Sequence, residues 1–211
     1  MHVQQHQEVP VSDVKLAIVY YSATGTVRAM AERLAATAAQ AGAEVRLRQV
    51  ERQPTGGEKA ATDEQTAEAE AAKGAPGVTA DDVVWADAVL FGSPTRYGNI
   101  AGQLKIFIDS LGAQWAQGLL ADKVYAGFTS SQTAHGGQET TLLALYNTIY
   151  HFGGIIVPPG YTDGSKFVDG NPYGVSHVTG GGNDIPLGDV EFTALDHMVN
   201  RVIGIAGKLK G

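Results

Sequence analysis

Short apolar runs alternate with amphipathic stretches along most of the chain. Residues 15–21 (KLAIVYY) are almost continuously apolar, as in a strand buried on both faces of a parallel sheet. Residues 22–26 interrupt that run with turn and capping side chains. Val27, Met30, Leu34 and Ala38 then share one face of a helix predicted over 27–41 and ended by Gly42. Residues 44–50 (EVRLRQV) alternate, which predicts a less buried strand. The cycle then repeats. The pattern predicts a short helix over 79–86 capped by Thr79 or Asp81, a strand at 88–92, a helix over 102–111 and a strand at 123–128. A helix over 138–152 follows, then a strand at 154–157 stopped by Pro158-Pro159, and a closing helix over 189–209. Residues 53–78 carry Pro54, Gly56, Gly57, Gly74, Pro76 and Gly77 around a polar, Ala-rich run, and read as a surface insertion, partly helical or mobile. Residues 160–188 read as a long Gly-rich loop, and residues 1–13 as a disordered tail ahead of a domain spanning 14–211.

Five buried strands joined by helices predict a doubly wound α/β fold with a five-stranded parallel sheet and helices on both faces, because parallel neighbours need right-handed crossovers. Numbered by occurrence, the expected strand order is 2-1-3-4-5. A length of 211 residues suits one such domain rather than two. The chain has no Cys, which excludes disulfide scaffolds, thiol catalysis, iron–sulfur clusters and cysteine zinc sites. With 15 Lys+Arg against 22 Asp+Glu, the net charge of −7 argues against nucleic-acid binding through phosphate neutralisation. No apolar stretch approaches a membrane span, the first residues lack the apolar centre of a signal peptide, His2 and His6 sit in the tail, and the remaining four His have no ligand spacing. The expectation is a cytoplasmic protein without a metal site.

In such a sheet, ligands bind beyond the carboxyl ends of the strands, at the switch point between strands 1 and 3. Three loops rich in Ser, Thr and Gly reach that edge. The first, Ser22, Ala23, Thr24, Gly25, Thr26 and Val27, sets hydroxyls and a permissive Gly directly before a helix start, where free amides and the dipole favour an anion. It lacks the Lys of a P-loop, and the chain has no GxGxxG, so one terminal phosphate monoester suits it better than a polyphosphate. An ordinary helix cap is the competing explanation. In the second loop, Pro94 and Gly98 fix a turn in which Thr95, Arg96 and Tyr97 offer polar backbone and an aromatic edge to a flat ring. A plain strand-to-helix turn, with Arg96 solvated and Tyr97 packed on the rim, is the competing explanation. The third loop, with Ser131, Gln132, Thr133, Ala134, His135 and Gly136, presents backbone amides to polar ring edges.

Together the strings YYSATGTVRAMA, FGSPTRYGNIAGQLKIFID, WAQGLL, SSQTAHGGQET, HFGGIIVPPGY and NPYGVSHVTGGG resemble flavodoxin-like FMN proteins, and in detail the WrbA family of NAD(P)H:quinone oxidoreductases. The resemblance implies FMN with its phosphate on residues 22–27, its ring against Thr95, Arg96 and Tyr97, and further contacts from residues 131–136. It also implies NADH or NADPH as donor, a quinone as acceptor, and ping-pong hydride transfer through the flavin N5. His151 falls where the family has a flavin-site histidine, and Trp115 where a tryptophan lines the cavity above the ring. Tyr161 resembles a tyrosine supplied by a neighbouring subunit of a homotetramer. Two positions depart from the pattern. Thr24 stands where the family has a tyrosine implicated in the nicotinamide site, and His135 where Gly is usual, so a side chain there would narrow the pocket or change the backbone angle.

Two other functions share this composition. A one-electron flavodoxin-type carrier needs a more acidic docking surface than −7 provides. A non-enzymatic regulatory protein would use the 53–78 insertion as its interaction surface. A phosphoacceptor receiver domain is excluded, because Tyr21-Ser22 and Ser93-Pro94 stand where it needs acidic residues.

Overall fold

The computed structural model describes residues 13–52 and 62–210. The tail expected at residues 1–13 lies outside them apart from Asp13, as do residues 53–61 of the insertion. The sequence pattern becomes β1 (Lys15–Tyr20), α1 (Thr26–Gln40), β2 (Glu44–Gln49), α2 (Asp63–Ala71), α3 (Ala80–Trp85) and β3 (Ala88–Arg96). Then come β4 (Asn99–Ile100), α4 (Gly102–Asp109), α5 (Gly112–Ala116), β5 (Val124–Ser131) and α6 (Gln138–Phe152). The chain finishes with β6 (Ile155–Ile156), α7 (Ser165–Asp169), β7 (Val175–Val178) and α8 (Asp189–Lys210).

The sheet runs β2-β1-β3-β5-β6 with parallel pairing throughout this path, which is the doubly wound order expected. It contains seven strands rather than five. One addition is β4, which turns back antiparallel onto the end of β3. The other is β7. The fifth position of the sheet is shared by two segments on one neighbour: β6 pairs with Val124 and Tyr125, and β7 pairs further along with residues 128–131. Pro158 and Pro159 lack the N–H a ladder needs, so the chain leaves the sheet and returns at Val175. Residues 160–188 are therefore not one long loop, since they carry α7 and β7.

Alternation along β1 divides the core. Leu16, Ile18 and Tyr20 pack with Met30 and Leu34 of α1 and with Leu195, Met198, Val199 and Val202 of α8 on one face. Ala17 and Val19 pack with Val83, Val89, Phe91, Leu104, Leu142, Leu145 and Ile149 on the other. At roughly 1.5 to 3 kcal/mol per buried large apolar side chain, these two layers hold the sheet rigid beneath the loops. Helix α1 ends at Gly42 (φ 86°) with Ala43 N–H bonded to Ala38 O and Gly42 N–H to Ala39 O, both 3.0 Å, the pairing that lets a left-handed glycine close a helix. Because the strands are parallel, the turns after β1, β3, β5 and β7 all emerge at one edge.

Candidate functional site

A cleft of about 640 Å³ opens at that edge. Its first wall is the turn after β1. Gly25, with φ +100°, occupies the position before α1 and donates its N–H to Ser22 Oγ at 3.1 Å. The first turn of α1 follows directly, and the first turn of a helix leaves its N–H groups without internal partners. The first turn of α1 holds no acidic residue, and Ala23 and Thr24 line the cleft.

The second wall is the β3–β4 hairpin. Tyr97 (φ 54°) and Gly98 (φ 76°) both lie in the left-handed region, as a two-residue hairpin turn requires, and Tyr97 is fully exposed at its tip. Ser93 anchors the base, since its Oγ accepts from Ala101 N–H at 2.8 Å and its carbonyl accepts from Thr129 Oγ1 at 2.7 Å. Pro94, Thr95, Arg96 and Tyr97 face the cleft.

The third wall follows β5. Ser131 Oγ donates to Thr133 O at 2.7 Å, Gly136 N–H to the same carbonyl at 3.0 Å, and Gln138 Nε2 again to it at 3.1 Å. The second and third walls are joined. Thr95 Oγ1 lies 2.7 Å from Thr141 Oγ1, and a Cβ on Gly137 would stand only 2.9 Å from Gly98 Cα. Ser131, Gln132, Thr133 and Gly136 line the cleft, whereas Ala134 and His135 are exposed outside its lining. His135 therefore does not narrow the pocket, and its φ is not positive.

A fourth wall is absent from the sequence reading. Thr62, Glu64 and Gln65 at the start of α2 line the cleft together with Thr179 and Asn183. Asn183 Nδ2 donates to Glu64 Oε2 at 3.1 Å, and Thr179 N–H to Ser131 O at 2.8 Å. Beneath this segment His177 is buried between two acceptors, Glu191 Oε1 at 2.9 Å and Ile185 O at 2.8 Å. Hydrogen bonding to His177 and to Gly188 N–H outweighs burial and holds the Glu191 carboxyl below its usual range. The polar Ala-rich composition of 62–71 gave no sign that this helix would wall a site; the one legible signal was its cap, Thr62 with Gln65 three residues on.

Three expected site residues do not join the loops within one chain. Helix α6 begins at the cleft and runs 15 residues away from it, so at about 1.5 Å per residue His151 lies roughly 20 Å off, towards the opposite edge of the sheet. Trp115 is with it, donating its indole N–H to His151 O at 2.7 Å. Both side chains are exposed. Tyr161 stacks on Phe167 at 4.9 Å between ring centroids and donates to Gly170 O at 3.2 Å. Among the described residues no helix is long and apolar enough to cross a membrane, and no cluster of His, Asp or Glu is placed to hold a metal ion.

The family model described as NADPH-dependent FMN reductase matches residues 14–167. The chain is 45% identical over 199 residues to an NAD(P)H dehydrogenase (quinone) of Deinococcus radiodurans, covering 94% of this chain and 98% of that one. It is 39% identical over 203 residues to a protein of the same name from Sinorhizobium fredii, covering 92% and 98%. Among solved structures, a WrbA-like flavodoxin from Agrobacterium tumefaciens superposes with a TM-score of 0.63 at 25% identity, covering 92% of this chain and 98% of that one. An archaeal flavodoxin shares the fold with a TM-score of 0.58 at 18% identity, covering 93% and 99%.

Proposed function

This chain belongs to the NADPH-dependent FMN reductase family, and from that premise we propose that it is an FMN-dependent oxidoreductase that reduces quinones with NADH or NADPH. Three hydroxyl- and glycine-rich loops converge on a single cleft, the first of them entering it at Ala23 and Thr24 just before the start of α1, and this convergence supports the assignment most directly. The donor set fits the cofactor. Ser22, Ala23, Thr24, Gly25, Thr26 and Val27 would hold the phosphate through amides and hydroxyls, each such bond to a charged acceptor contributing about 1.5 to 3 kcal/mol. Pro94, Thr95, Arg96, Tyr97 and Gly98 would flank the ring, and Ser131 to Gly136 would meet its polar edge. FMN when bound supplies the hydride and two-electron chemistry.

The chain's own part is placement and exclusion. The interlocked hairpin and third loop hold the ring-facing amides in one geometry, and exposed Tyr97 gives an apolar surface on which donor and quinone take turns. This shared use of one site is a ping-pong scheme, and it needs no second nucleotide fold. Trp115 and His151 would face the ring only from another copy, because about 20 Å separates them from their own cleft. We place them there in a cytoplasmic homotetramer, with Tyr161 also offered to a neighbour's site. Exposed Trp115, Tyr150, Tyr161 and Phe167 support such packing. His151 would orient the quinone or carry its proton, since an imidazole has one nitrogen that donates and one that accepts. Stopped-flow measurement of the two half-reactions tests these roles: His151→Ala and Trp115→Ala each slow quinone reduction about tenfold or more, and unchanged rates in both halves would remove both residues from the site.

A further inference from the structure

The insertion helix places a carboxylate against the turn assigned to the phosphate. Glu68 of α2 is buried, with its side chain only 4% exposed, and its Oε2 accepts from Arg28 Nε at 2.9 Å. Its Oε1 has no hydrogen-bond partner among the described residues. Arg28, in the first turn of α1, also donates from Nη1 to Glu32 Oε1 at 3.0 Å. A Cβ on Gly25 would stand 3.3 Å from Glu68 Oε2 and 3.8 Å from Arg28 Nη2, so the bare glycine is what lets the pair seat on the turn. The negative field reaches the strand beneath: burial first, then Glu32 and Glu68, push the Tyr20 hydroxyl up to about 12.

This arrangement is a poor way simply to fasten a helix. Burying a charge pair costs desolvation on both sides, and half of Glu68's capacity goes unused. It is a direct way to occupy a cation. We propose that Glu68 is a positioning residue that sets flavin specificity: by engaging Arg28, it withholds that guanidinium from the phosphate, so that amides and hydroxyls alone hold the phosphate of FMN. The insertion thereby tunes cofactor affinity downward from what the turn and Arg28 together can reach. This inference rests on the reading of residues 22–27 as the phosphate site.

The test is equilibrium titration of the apoprotein, comparing FMN with riboflavin, which lacks the phosphate. Glu68→Gln keeps an amide able to accept from Arg28 but removes the charge, and is expected to tighten FMN about tenfold while riboflavin stays within about twofold. The gain is lost in the double variant Glu68→Gln, Arg28→Gln, and shrinks as salt is raised. An unchanged ratio of FMN to riboflavin affinity overturns the proposal, including the case in which α2 loosens and both ligands weaken together. A selective loss of FMN overturns it too, because Glu68 would then be holding Arg28 ready for the phosphate. Failure of the underlying reading looks different: the unaltered protein would show no preference for FMN over riboflavin, and inorganic phosphate would not compete with FMN.

Discussion

At Gly137 the backbone takes φ +90°, and a Cβ there would meet Gly98 Cα at 2.9 Å. Gly137→Ala combines left-handed strain with a backbone clash, so it is expected to lower stability by about 1 to 3 kcal/mol and to weaken FMN binding by separating the hairpin from the third loop. Urea unfolding and flavin titration read the two effects. Asp82 makes a different kind of prediction. Burial raises its carboxyl pKa, but bonds from Thr79 N–H and Oγ1, each 3.0 Å, together with Arg48 at 3.0 Å outweigh that and hold it below the usual range. A depressed folded pKa stabilises the protein above the unfolded value near 4, and the contribution is lost as pH falls through the folded value. Asp82→Asn should therefore cost roughly 2 to 4 kcal/mol at neutral pH and flatten the acid limb below about pH 4, as read by unfolding at several pH values. Residues whose chemistry demands a type, such as Gly25 in a left-handed turn or hydroxyls before a helix, were legible before folding. Glu68 was not, because an acidic residue in an Ala-rich run carries no sign of which surface it will meet.

Elements were legible where the apolar pattern was buried on a defined face. Helix α6 spans the predicted 138–152, with Leu142, Leu145, Tyr146 and Ile149 buried and left-handed glycines, Gly137 and Gly153, at its two ends. Strand β1 is buried along almost its whole length, and its apolar run said so. Strand β3 extends four residues past the predicted 92, to Arg96, because Ser93 and Pro94 continue the parallel ladder with β5, where Ser93 bonds Ala101 N–H and Thr129 Oγ1, and Thr95 and Arg96 then pair antiparallel with β4. The split fifth position has no clear sequence signal for a simpler reason: VSHV is four residues long and its partner is set by β5, not by its own composition. Helix α2 lacks an apolar stripe altogether. It is held by its cap, by Glu68 on Arg28 and by Glu64 on Asn183, which are contacts between segments distant in sequence.

At the scale of the molecule, the expected strand order is the one observed, and a cleft opens at the sheet edge where the turns after β1, β3 and β5 emerge. Topology also separates Trp115 and His151 from that cleft, because any helix following a strand of a parallel sheet carries its C-terminus back to the opposite edge. A motif match cannot distinguish a residue of the same chain from one of a neighbour. The expected assembly has a mass near four times 22.1 kDa by light scattering, and disrupting it with Tyr150→Asp, at an exposed aromatic on α6, should lower quinone turnover while leaving the fold intact. A fully active monomer would remove the neighbour's role for Trp115 and His151. Quinone reduction by NADH or NADPH through FMN is tested by one absorbance measurement on the FMN-loaded protein mixed anaerobically with either donor. An FMN-dependent quinone reductase bleaches its flavin band without any partner reductase and regains it on adding a quinone; a band that persists with either donor, or stays bleached when quinone is added, would show that the protein is not one.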